Sequence, residues 1–312
     1  MPLIGTVASA FFAGSTAGSG FIAGGSGSGG RINVIDKITI ATAANSTDFG
    51  DLTVSRGFGY SGGASSTRAV FMGGNSGSGD GSNVIDYITM ASAGNATDFG
   101  DTFLTRSHSS QCSNDTRSVS GGGFKESTDS YQTKIDYITI ASTGNASNFG
   151  ELSQARGYGG SFASPTRGIF GGSINGPVTN VIDYVTIATT GNATDFGDTI
   201  TRTYITGSCS NNTRGLFAGG DGSNVIDYIT IATTGNATDF GDINALIGMM
   251  AGTSSAVRAV FSGGYIWSGV NQFQNQMQYV EFSTLGNGVD FGDLTATRYA
   301  LFGIGSNHGG LS

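Results

Sequence analysis

Chemistry at a protein surface needs side chains that move protons, attack carbonyls or hold metals, and this chain is short of them. Its 312 residues include two histidines, His108 and His308, and two cysteines, Cys112 and Cys209. A Cys beside a His would be a nucleophile with its base, and mixed Cys and His ligands would hold zinc. Only His108 lies near Cys112 in sequence, and nothing else there completes a dyad. Two His and two scattered Cys are too few for a transition-metal cage. The expectation is no catalytic residue, no metal and no cofactor.

Three other patterns invite a chemical reading. "DFG", with one "NFG" copy, occurs six times. The tripeptide holds magnesium in kinases only beside a Gly-rich loop and a paired Lys, which are missing here, so it reads as a structural turn. "SGSGDGSN" at Ser76–Asn83 offers oxygens to calcium, but lacks the alternating Asp ligands and closing Glu of a strong site. The third pattern is "YIWSGVNQFQNQ", which holds Tyr265, Trp267 and Phe273 among amides. Rings give flat apolar area and amides give hydrogen bonds, which suits sugar or protein contacts. The competing reading is that these rings pack their loop onto the scaffold. Tyr265, Trp267 and Phe273 are the candidate binding residues.

The elements that would position these residues are written in a repeat. "NVIDYITIATTGNATDFGD" at Asn224–Asp242 has near copies at Asn180–Asp198, Asn83–Asp101 and Asn33–Asp51, and looser ones at Lys134–Glu151 and Gln278–Asp293. The shared Phe falls at Phe49, Phe99, Phe149, Phe196, Phe240 and Phe291, at intervals of 50, 50, 47, 44 and 51. That period matches propeller blades. A chemical site is needed once and a building block many times, so the copied stretch is scaffold. Each unit parses into four short strands. In the second they are Ser55–Gly63, Thr67–Gly74, Asn83–Ser92 and Thr97–Leu104, separated by Gly, Ser and Asn turns. Both faces of the third strand are partly apolar, as a blade covered on both sides requires.

Composition agrees. Gly numbers 54, Pro 3 and charged residues 12%, with 38% apolar; this is neither disordered nor collagen-like. The net charge of −8 is largely a product of repetition, since 16 of 22 acids occupy three repeated positions. No basic stripe exists to neutralise phosphates, so nucleic acid is not an expected partner. No stretch is long and apolar enough to span a membrane. The start, "MPLIGTVASAFFAGS", lacks a basic n-region and reads as a strand.

Ten of the 14 basic residues form two repeated sets. Arg56, Arg106, Arg156, Arg202 and Arg298 precede the first strand of a unit, and Arg68, Arg117, Arg167, Arg214 and Arg258 open the second. The acid after "FG" is expected to accept backbone N–H groups or to meet one of these Arg residues, and Asp/Glu–Arg pairs to tie strands or neighbouring blades together. A ring of Arg holding an anion in the central channel is the alternative. Cys112 and Cys209 occupy equivalent places in units separated by one other. They should lie beyond the ~7 Å limit between Cα atoms of a disulfide, so two free, buried thiols are expected. The sequons at Asn45, Asn95, Asn145, Asn192 and Asn236 read as turn chemistry.

"TRAVFMGG…NVIDYITMASAGNATDFGD…LTR" resembles a kelch-type repeat: a strand ending in Gly-Gly, a strand with Tyr, a later aromatic, and an Arg opening the next unit. The later aromatic is Phe here and Trp in kelch repeats. Some kelch-type propellers are copper oxidases with Tyr and His ligands, a set this chain cannot supply. The wording of the repeat also resembles repetitive virion structural proteins of marine bacteriophages. The resemblance implies one all-β domain over 1–312, a six-bladed kelch-like β-propeller with four-stranded antiparallel blades. The expected blades are 3–53, 54–104, 105–153, 154–200, 201–244 and 245–295, with 296–312 as a surplus C-terminal strand. That strand either closes the ring or offers an edge to another copy. The resemblance further implies a non-catalytic structural or adhesive virion component: a capsid decoration, fibre or tail-associated protein. Its partners would be other virion proteins or a host surface glycan or receptor. A lectin-like or receptor-binding propeller is the alternative.

Overall fold

The computed structural model describes residues 18–77, 79–174, 178–200, 207–267, 272–306 and 308–311. The expected first strand within residues 3–17, together with Arg202, lies outside the described residues. The described chain is β-structure and loops, with a single 3-10 turn at Glu126–Thr128. Six four-stranded antiparallel sheets form the blades of a propeller. From the axis outward, blade 2 has Gly63–Ala64, Arg68–Met72, Val84–Thr89 and Thr97–Asp101. The other blades repeat this order.

Blade 1 differs in the origin of its innermost strand. Ser19–Ala23, Val34–Thr39 and Thr47–Asp51 supply three strands, and Phe302–Gly305 supplies the fourth. Phe302–Gly305 pairs antiparallel with Ser19–Ala23, from Gly20 opposite Gly305 to Ala23 opposite Phe302. The strand left over by the sequence count thus closes the ring. An unpaired edge at the axis would leave backbone groups without partners, and this strand satisfies them.

The core is divided into layers between blades. Six apolar clusters each join two neighbours, such as Phe21, Phe49, Phe71 and Ile88 between blades 1 and 2. The repeated Phe meets the repeated Tyr edge to face: Tyr87 and Phe99 lie 5.9 Å apart, Tyr137 and Phe149 5.8 Å. This explains why a strand with one polar and one apolar face would not suffice here.

The copied phrase also staples blades together. The amide of Asp51 donates to Asn95 Oδ1 of the next blade at 3.1 Å. The same bond joins Asp101 to Asn145, Glu151 to Asn192, Asp198 to Asn236, Asp242 to Asn287 and, closing the circle, Asp293 to Asn45. The sequon Asn is therefore an inter-blade acceptor. The Gly of "FGD" is required by the same contact. Gly50 has φ +150, and a Cβ there would sit 2.3 Å from the carbonyl oxygen of Gly94.

The described members of the first Arg set form buried ion pairs, but with the Asp of "VID" and not with the acid after "FG". Arg56 meets Asp86 at 2.8 Å with both side chains fully buried, and Arg106–Asp136, Arg156–Asp183 and Arg298–Asp36 repeat the pair. The same carboxylates accept from the crossover entering the blade, as in Thr53 N to Asp86 Oδ2 at 3.1 Å. The "VID" Asp wins because it lies inside the sheet stack, where a charge must be paired, whereas the "FGD" acids stay partly solvated at the rim. Burial pulls the pKa of Arg56, Arg156 and Arg298 down, and the adjoining carboxylate opposes it.

The second Arg set caps carbonyls of the following blade. Arg68 Nη1 donates to Ile140 O and Ala141 O, both at 3.1 Å, while its guanidinium lies 4.7 Å from the Tyr87 ring. Arg117, Arg167, Arg214 and Arg258 do the same over Tyr137, Tyr184, Tyr228 and Tyr279. These engagements remove the described framework arginines from the channel, so they do not form an anion-holding ring there.

Two blades depart from the pattern, and each departs in pairs. In blade 6, Ile247 stands where others have Arg and Gln278 where others have Asp; both are buried. In blade 1, Ser19 replaces the capping Arg and Lys37 the Tyr beneath it. Losing one partner would strand a charge or a ring face, and losing both leaves neither.

The axis is packed shut. Ser61 and Ser161 hydroxyls meet at 2.7 Å, and Ser113, Ser208, Ser210 and Ser254 donate to carbonyls of adjacent inner strands. The remaining cavity is about 20 Å³, roughly the room of one water. The chain's tail covers one end. His308 is buried there, with Nε2 3.2 Å from Ala64 O and Nδ1 accepting from the Gly310 amide at 3.1 Å. Cys112 and Cys209 are free and buried, as expected, and burial pushes both thiols well up.

Both histidines are held neutral by burial, with pKa lowered to about 3 for His108 and about 4 for His308. An unfolded His takes up its proton near pH 6.5. Their stabilising contribution is therefore complete above pH 6.5 and falls as pH drops toward 4, by up to about 1.4 kcal/mol per pH unit for each residue. Urea midpoints should hold from pH 7.5 to about 6.5 and fall from there to pH 4.5, and His308→Gln should flatten that fall.

Candidate functional site

The face opposite the tail gathers the variable parts of the repeat. Connections between second and third strands lie there, and so do the crossovers leading to each new blade, because Asp101 at an outer-strand end pairs with Val84 at a third-strand start. Bridges Gly57–Asn75, Ser107–Phe124, Gly157–Ile174, Gly248–Tyr265 and Ser26–Tyr299 bind the described crossovers to loops.

At the axial mouth, five non-Gly residues adopt left-handed φ near +60: Phe58, His108, Tyr158, Met249 and Ala300. This backbone costs on the order of 1 kcal/mol per residue. A hydrogen-bond chain around the axis offsets it. Phe58 N donates to Ala300 O at 2.7 Å, His108 N to Phe58 O, Tyr158 N to His108 O, and Ala300 N to Met249 O. The scaffold thus holds one variable residue per described blade at the mouth.

Their rings form a continuous surface with those of the loops. His108 and Tyr158 lie 3.9 Å apart, Phe58 and His108 4.6 Å, and Phe58 and Tyr299 5.9 Å. Tyr131 joins through Tyr158 at 6.5 Å and stands 5.1 Å from Phe124. On the other side Tyr299 lies 5.4 Å from Tyr265 and stacks on Phe273 at 5.2 Å. Tyr60 lies beneath this group, fully buried.

The three residues singled out from sequence do come together. Tyr265 contacts Trp267 at 5.2 Å and Phe273 at 5.8 Å. Their roles divide. Tyr265 and Phe273 are half-buried against Tyr299, and the Tyr265 hydroxyl donates to Gln272 Oε1 at 2.7 Å. They serve the packing reading. Trp267 rests over Gly248, where a Cβ would be 2.6 Å from the indole, and remains 40% exposed. Residues 268–271 of that loop lie outside the described residues. Val54, Phe103, Ile200 and Leu246, all on crossovers of this face, are also exposed.

Arg31 was missed by sequence reasoning. It stands on the short hairpin Ser26–Gly27/Gly30–Arg31 of blade 1, 4.4 Å over the Phe58 ring. It donates to Ser26 Oγ and to Asn75 Oδ1, the latter at 3.3 Å. Asn75 in turn donates to Glu126 Oε1 at 2.9 Å, which links the loops of blades 1, 2 and 3. A signal existed: Arg31 is the one arginine outside both repeated sets. The mouth residues were legible in the same way, as the changing position two after each Arg in "RGF", "RSH" and "RGY".

Among the described residues no group of three or more His, Cys, Asp or Glu is arranged to hold a metal. In the loop considered for calcium, Asp80 accepts from the Ser127 hydroxyl at 2.7 Å and faces Lys125 at 3.9 Å, which makes it a loop-to-loop tie. No family model matches the chain, and no curated protein sequence matches it.

Proposed function

We propose that this chain is a non-catalytic structural or adhesive component of a bacteriophage particle, built on kelch-like repeats, that meets a protein or glycan through its loop face. One observation carries the binding half of this reading. A continuous surface of half-buried rings surrounds the axis on one face, next to exposed Trp267 and the apolar crossovers. Such a surface on a rigid scaffold suits recognition. The particle half rests on the resemblance of the repeat to virion structural proteins. A lectin-like reading is favoured by Trp267 alone, since an open indole face is what a sugar ring covers.

The test has two parts. Mass spectrometry of purified particles should find the chain at a fixed stoichiometry with coat or tail proteins. The purified chain should adhere to host-cell envelopes, and Trp267→Ala should weaken adhesion about tenfold or more, as loss of a central aromatic anchor does. Unchanged adhesion in Trp267→Ala, with the fold intact, would refute the loop-face assignment.

A further inference from the structure

We propose that the axial mouth takes a saccharide bearing a carboxylate, with Arg31 holding the acid and the rings of Phe58, Tyr158 and Tyr299 flanking the sugar. This rests on the loop-face reading above and specifies its ligand.

Arg31 is a cation held ready without a countercharge. Among the described residues no carboxylate lies within 4 Å of it; its partners are two neutral oxygens and the Phe58 face. Its Nε is buried with no hydrogen-bond partner. The nearby acids are engaged, Glu126 with Asn75 and Asp80 with Ser127 and Lys125. The other described arginines are spent on scaffold carboxylates or carbonyls. A planar guanidinium beside a ring and without a carboxylate of its own suits a carboxylate ligand.

Tyr60 gives a second, independent pointer. It is 0% exposed, yet its hydroxyl has no hydrogen-bond partner. Its ring lies 6.3 Å from His108 and 6.2 Å from Tyr158, at the floor of the mouth. Burial raises its pKa, and Arg31, Tyr158 and Tyr299 are the ionisable groups that act on it. A buried donor without an acceptor is unfavourable, and a polar sugar group seated in the mouth relieves it. The blade 2 crossover carries one more residue than that of blade 3 between Arg and the inner strand, and this extra length brings Tyr60 to the axis.

Isothermal titration of the full chain with glucuronate, its methyl ester and glucose tests this. Glucuronate should bind saturably, and the ester and glucose should bind about tenfold or more weakly, the loss expected for one charge-assisted pair. Arg31→Gln should reduce glucuronate to the level of the ester without changing the melting temperature, and Arg31→Lys should restore part of the affinity. Added salt should weaken glucuronate binding and leave glucose unaffected. Equal binding of acid and ester, or an Arg31→Gln chain that binds like wild type, would overturn the proposal. If glucose and glucuronate bind equally and both are lost in Trp267→Ala, the acid assignment falls while the loop-face reading stands.

Discussion

Arg56→Ile should destabilise the protein by about 3–5 kcal/mol, and adding Asp86→Gln to it should return most of that loss. The single change leaves Asp86 buried at 0% exposure with Thr53 still bonded but its countercharge gone. An uncompensated interior charge is among the costliest defects a core can carry. The double change reproduces what blade 6 already contains. There Ile247 fills the place of the guanidinium, and Gln278 Oε1 accepts from the crossover amide of Asn244 at 2.8 Å, as Asp86 accepts from Thr53. Urea denaturation of the two single variants and the double gives the coupling energy directly. Additive losses would show that the ion pair and its neutral substitute are not equivalent solutions.

Deleting residues 296–312 should abolish cooperative folding. The deletion removes Leu301, Phe302 and Ile304 from the core, each worth about 1.5–3 kcal/mol in buried apolar surface. It also strands Asp36 by removing Arg298, and it opens the backbone edge of Ser19–Ala23. Together these match the whole stability of about 5–15 kcal/mol typical of a domain. Circular dichroism melting should show no sharp transition, and a synthetic peptide of residues 296–312 should restore one. A truncated chain that melts sharply as a monomer would mean that closure does not depend on this strand.

Architecture was legible in the sequence because a propeller repeats its physics. Strand number, blade count and the buried repeated Phe follow from period and pattern. The identity of each ion pair was not legible, since "VID" and "FGD" both offer an acid at fixed spacing from Arg. Only the sheet register decides which one is enclosed, and it encloses Asp86. The leftover strand was visible as a surplus, but its pairing with Ser19–Ala23 joins residues nearly three hundred positions apart. The aromatic loop with Tyr265, Trp267 and Phe273 stood out as a break in the repeat. Phe58, His108, Tyr158 and Arg31 vary within the repeat or stand outside its Arg sets, but their grouping was not legible, because it depends on ring closure and on left-handed turns at residues other than Gly.

Repetition and its interruptions divide the labour of this chain. The copied residues are occupied with one another: Asn with backbone amide, Arg with carbonyl or Asp, Phe with Tyr. The residues free to meet something else are those that change from blade to blade, and they converge on one face. Trp267 is the chain's only tryptophan and stands on that face, so its fluorescence is the most direct probe of this division. Titration of the native chain with acidic saccharides should shift or quench its emission saturably. Arg31→Gln should remove the response, and Arg68→Ala, on the opposite face, should keep it. Saturable binding seen by calorimetry that Arg31→Gln and Trp267→Ala both leave unchanged would place recognition elsewhere and contradict the account.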